Sequence, residues 1–122
     1  METNVMNIFM KSAVVTAVIS VIAISAQAKE KTDRALVKPG EAHELCMTLE
    51  FGKRLTYGFT SHKEMNFNIH FNEGDEIIYP VEEHLTREKN EIFTATSDQE
   101  HCLMWTNPND RGQWVNVVYQ VR

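Results

Sequence analysis

Apolar and polar residues alternate with period two along most of the chain from Ala42 onward. Leu45, Met47 and Leu49 alternate with Cys46 and Thr48, and Leu55, Tyr57 and Phe59 with Thr56 and Gly58. Met65, Phe67, Ile69 and Phe71 alternate with Asn66, Asn68 and His70. Near the end Val115, Val117, Tyr119 and Val121 alternate with Asn116 and Gln120. This period predicts antiparallel strands with one face buried and one face in water. Shorter apolar runs at 76–79, 92–96 and 101–106 predict further strands. Turn residues separate them: Pro39-Gly40, Phe51-Gly52-Lys53, the stretch 72–75 and the Asn/Pro/Gly-rich stretch 107–112. Pro80 has no N–H for a ladder, so it must end its strand or lie on an edge. Segment 81–90 reads as a charged loop with room for one helical turn, Glu83 and Arg87 being spaced i,i+4. The expected fold is an all-β, antiparallel β-sandwich of seven to eight strands.

A different pattern precedes the strands. Lys11 is followed by the uncharged run 12–26, then by Ala26-Gln27-Ala28 and the charged Lys29-Glu30-Lys31. A basic residue, an apolar stretch and a small-x-small triplet are the parts of an export signal. The run falls short of the about 20 apolar residues of a membrane span, which argues against an uncleaved anchor. Glu2 stands where a signal is ordinarily basic, and Met10-Lys11 would open a more ordinary one, which points to a start at Met10 rather than Met1. Residues 1–28 are therefore expected to be a signal peptide and 29–122 a single domain, periplasmic or secreted, without a stable membrane anchor after cleavage. Intact mass of the exported protein is expected to begin at Lys29. A mature form that keeps the apolar run would replace the signal with an anchor.

Export bears on the two cysteines. Cys46 and Cys102 both lie in the exported part, where such a pair is most simply a disulfide. No Cys-x-x-Cys spacing is present to lower a thiol pKa or grip zinc. Glu2 and Lys11 cancel, so residues 29–122 keep the formal net charge of −5. The charges read as scattered, with no basic stripe, which excludes nucleic acid as a natural partner.

The strand pattern resembles the GOLD (Golgi dynamics) domain over roughly 37–121. The resemblance rests on Cys46 in the first long strand, Leu55-Thr56-Tyr57-Gly58-Phe59, and the alternating Met65-Asn66-Phe67-Asn68-Ile69. It continues through Gly74 with Ile77-Ile78-Tyr79, Phe93-Thr94-Ala95, Cys102 in the penultimate strand and Asn107 after it. It implies a GOLD-like, jelly-roll-type sandwich, a disulfide and a role in recognition. The coiled coil, transmembrane helix and sorting tail of the cargo receptors have no counterpart in this sequence, so cargo sorting is not implied.

Candidate chemistry is sparse. Ser61 and Ser97 are the serines of the domain, and neither lies in a Gly-x-Ser-x-Gly elbow. Glu73, Asp75 and Glu76 read as solvated turn residues. His43, His62, His70, His84 and His101 form no tight ligand pair, and read as scattered surface histidines. The stretch from His70 to His84 is faintly similar to a cupin metal strand, with Asn68 where the first histidine would stand. Trp105, Trp114 and the tyrosines read as core or core rim. Asn66, Asn68 and His70 share one side of a strand and form a polar ladder, the best candidate for a binding face. The expected function is non-enzymatic binding of an envelope protein or small ligand, with no catalytic residues, metal or cofactor. The alternative is a small metal-binding or cupin-like periplasmic protein.

Overall fold

The computed structural model describes Ala17 and residues 29–122; the expected signal segment otherwise lies outside the described residues. Six strands follow one another: β1 (Lys31–Val37), β2 (Ala42–Leu49), β3 (Arg54–Glu73), β4 (Glu76–Thr94), β5 (Gln99–Thr106) and β6 (Gln113–Val121). All pair antiparallel in one sheet of order β1-β6-β3-β5-β2, with β4 along the other side of β3. β3 is long enough to serve two neighbours. Leu55–Ser61 pairs with β6, and Asn66–His70 pairs with β5. The sheet therefore has a β6 half and a β5 half, joined by the β3–β4 hairpin.

The two halves fold toward each other at Ser61–Glu64, where the register shifts between Thr60 and Met65. A bulge of this kind bends a strand. The inner faces then meet: Phe59 and Tyr57 of the β6 half lie 4.7 and 5.7 Å from Phe67 of the β5 half, between ring centres. The buried core takes its side chains from both halves: Leu55, Tyr57, Phe59, Met65, Phe67 and Ile69 on β3, Leu103 and Trp105 on β5, Val115 and Val117 on β6. Those on β3 and β6 are apolar positions of the period-two pattern, and Leu103 and Trp105 lie in the short apolar run 101–106.

The architecture differs from the expected seven- to eight-stranded sandwich. It is a single six-stranded sheet curled into a half-barrel. The runs around Leu55 and Met65 are one strand, because the polar Ser61–Glu64 stretch is absorbed as a bulge and not a turn. The segment 81–90, expected as a loop with a helical turn, is strand. β4 lies on the edge and bonds to β3 alone, so its ladder forms without alternating apolar residues. Tertiary pairing overrides weak β-propensity there. Pro80 accordingly sits on an edge. β1 was not foreshadowed, since its inward residues Asp33, Ala35 and Val37 offer little apolar signal. Trp114 is largely exposed and not core; the Arg34 guanidinium lies 4.0 Å above its ring.

Gly74 at the β3–β4 turn has φ 62°, a left-handed conformation that costs other residues about 1–2 kcal/mol. Gly74→Ala is expected to lower stability by about 1 kcal/mol in urea unfolding. At the opposite end, buried Asn107 ties two loops together. Its Nδ2 donates to the carbonyls of Val37 (2.9 Å) and Arg111 (2.7 Å), and its Oδ1 accepts from the Asn109 backbone N–H (2.8 Å). Tyr57 is buried, and burial, with the Glu91 carboxylate adding to it, pushes its pKa from 10.0 up to about 12. The folded state thus disfavours the phenolate. The stability held below pH 10 is expected to fall by about 2–3 kcal/mol as the pH rises through 12. Tyr57→Phe should remove that part of the decline, measured as the difference between the two urea-unfolding curves across this range.

Candidate functional site

The inner face of the sheet is taken up by the core, and the candidate residues lie on the outer one. On the outer face of the β5 half, β3 presents Asn66, Asn68 and His70. They pair with Thr106, Met104 and Cys102 of β5. β2 follows with Glu44 opposite Met104 and Cys46 opposite Cys102. The cysteines of this last pair are joined as a disulfide across the two strands. The bridge therefore belongs to the same outer face as the ladder.

The ladder is only partly open. Asn68 is 3% exposed, while Asn66 and His70 are half-buried. His70 Nδ1 lies 2.7 Å from Asn68 Oδ1, so the ring N–H donates to the amide oxygen. His70 Nε2 lies 3.7 Å from the Glu44 carboxylate. Asn68 and His70 each stand opposite a bulge of β4. Glu82 and Glu83 together face Asn68, and Tyr79 and Pro80 face His70. Bulges re-aim side chains, and here they turn Tyr79 over the His70 ring at 5.8 Å.

Sequence reasoning missed the apolar part of this face. Ile77, Tyr79 and Leu85 on β4 are 53%, 46% and 56% exposed. Ile77 lies opposite Asn72 and Leu85 opposite Asn66, so both share the ladder's face. The signal was present in the sequence as apolar residues in a charged segment, but it became readable only once that segment was known to be a strand.

The other candidates separate. Phe67 lies opposite His84, whose ring meets it edge-on at 5.9 Å on the inner side, so His70 and His84 are on opposite faces of the sheet. The cupin-like arrangement needs them on one face. Potential ligand groups come together as Glu44, His70 and Cys102, and as Cys46, Glu100 and Cys102. With both sulfurs in the disulfide, the first set reduces to two ligands, fewer than a zinc site uses. The histidines are not all surface residues either. His101 is fully buried between Phe71 and Phe93, with Nδ1–H donating to the Gln99 carbonyl at 2.8 Å. His43 stacks near Trp105 and lies 2.7 Å from Asp33 of β1. The Ser61 hydroxyl donates to the Lys63 carbonyl at 2.6 Å, within the bulge and not toward His62.

No family model matches the chain, and no curated protein matches it in sequence. Solved structures do share its fold. It is similar to PliG of Aeromonas hydrophila, a periplasmic inhibitor of g-type lysozyme, with a TM-score of 0.51 and 8% identity over 80% of this chain and 89% of that one. PliG of Salmonella Typhimurium, also a periplasmic inhibitor of g-type lysozyme, gives 0.52 and 11% over 80% and 91%. The Yersinia pseudotuberculosis-derived mitogen gives 0.55 and 12% over 78% and 87%. At these identities the likeness is one of fold. Among the described residues no helix is long and apolar enough to cross a membrane.

Proposed function

We propose that this chain is exported to the periplasm or beyond and acts there as a non-enzymatic domain that binds a protein. The observation that carries the proposal is the outer face of the β5 half. Three large apolar side chains, Ile77, Tyr79 and Leu85, stand exposed beside the donors and acceptors of Asn66 and His70. Exposed apolar groups set among polar ones are the makings of a protein interface, and tyrosine is among the residues that dominate such interfaces. The fold likeness to two periplasmic inhibitors supports a binding role, and the GOLD resemblance supports recognition over catalysis. A g-type lysozyme, which both of those proteins inhibit, is a natural first partner to try.

The test uses the exported protein immobilised against its own envelope fraction and against purified g-type lysozyme. Tyr79→Ala combined with Leu85→Ala is expected to weaken capture at least tenfold, as loss of a hot spot does. Ile92→Ala, on the outer face of the β6 half, should leave it unchanged. His70→Ala is expected to weaken capture less, because Glu44 and Asn68 already occupy part of its ring. Capture that survives the double variant and falls with Ile92→Ala would move the site to the other half.

A further inference from the structure

Folding sorts the charges that read as scattered in the sequence. β2, β5 and the whole stretch 65–85 contain no Lys and no Arg. They carry Glu44, Glu100 and the five acids from Glu73 to Glu83. The basic residues of the strands fall on the other half: Lys31 and Arg34 on β1, Arg54 and Lys63 toward the ends of the β6-half stretch of β3, Arg87 and Lys89 on the second part of β4. Asp33, Glu64, Glu88 and Glu91 lie among them, so that half is mixed, whereas the β5 half carries acids alone, and it is the half that exposes Ile77, Tyr79 and Leu85.

We propose that the outer face of the β5 half docks the basic surface of a folded protein, with Tyr79 and Leu85 as apolar anchors and the surrounding carboxylates as its electrostatic frame. This rests on the protein-binding reading above and adds the chemistry of the partner. Charge complementarity selects a cationic occupant: the potential of a one-signed patch attracts the opposite sign and raises association rates. A second copy docking through this same face is disfavoured, because it would bring like charge against like. An extended peptide added along the free edge of β4 is disfavoured as well. Pro80 cannot bond outward, and the bulges opposite Asn68 and His70 break the run of edge groups that strand addition needs. A broad sheet face remains, which suits a folded surface.

The experiment titrates the isotope-labelled exported protein with g-type lysozyme of basic pI, following backbone amide shifts. Shifts are expected in residues 66–70 and 77–85. Affinity should fall at least about tenfold between about 0.02 and 0.3 M salt, as the Debye length shrinks. Glu82→Gln with Glu83→Gln should weaken binding about fivefold or more, mainly through the association rate. Tyr79→Ala should weaken it through the dissociation rate, which attraction by diffuse charge alone would not show. Glu91→Gln should have no effect. Shifts confined to the Leu36–Trp114–Val118 side would overturn this inference and leave the protein-binding reading standing. Binding indifferent to salt and to the Glu82/Glu83 pair would overturn the cationic partner alone. Absence of any shift at low salt would overturn the inference too, while the capture experiment, which presupposes no partner charge, decides the broader reading separately.

Discussion

Phe67→Ala is expected to destabilise the domain by about 3–5 kcal/mol. Phe67 is 0% exposed and stands where the two halves of the sheet meet. Its ring lies 4.7 Å from Phe59, 5.4 Å from Trp105 and 5.7 Å from Tyr57. Truncation removes its own burial and leaves a cavity bordered by rings from both halves. These rings belong to strands already paired on both sides, so the site can collapse only partly. A loss of this size is a large share of the about 5–15 kcal/mol that holds a typical domain together. Urea unfolding of Phe67→Ala against Ile92→Ala makes the comparison within one sheet. A change under about 0.5 kcal/mol at Phe67, the range of ordinary surface substitutions, would invert the assignment of faces.

Removing the disulfide is expected to cost about 2–5 kcal/mol. Cys46 and Cys102 are directly opposed in the β2–β5 ladder and 56 residues apart in sequence. In the chain-entropy view, closing a loop of that length restricts the unfolded chain by about 4 kcal/mol. The folded state has its own reason to need the bridge. β2 is an edge strand, bonded in the sheet only to β5. The double variant Cys46→Ser, Cys102→Ser should therefore unfold at lower urea and show faster amide exchange in β2 before the rest. Labelling of the denatured, unreduced wild type should find no free thiol. A loss below about 1 kcal/mol would mean that the ladder alone holds β2 and that closing the loop restricts the unfolded chain little.

Much of the fold was legible because strand formation and burial share one period. Every second residue of Leu55–Phe59, Met65–Phe71 and Val115–Val117 is apolar, and each of these apolar residues is buried. The candidate site was legible in part. The shared side of Asn66, Asn68 and His70 follows from alternation, whereas the burial of Asn68 does not. It depends on the His70 ring bonded to Asn68 and on strands that only the fold brings alongside.

By itself, then, the sequence determined the all-β class, the inward residues, the turns at Gly40, Gly52 and Gly74, and the two cysteines free to pair across strands. These depend on residues near one another along the chain, whose period and turn chemistry are local. Only the tertiary structure decided that 81–90 is a strand, that β1 exists, that His70 and His84 face opposite ways, and that one half of the sheet carries acids without bases. Each of these follows from pairing between distant segments. An edge strand such as β4 takes its hydrogen bonds from β3 and needs no apolar pattern of its own. The base-free stretch 65–85 becomes part of an acidic half when a bulge turns the two parts of the hairpin onto different neighbours.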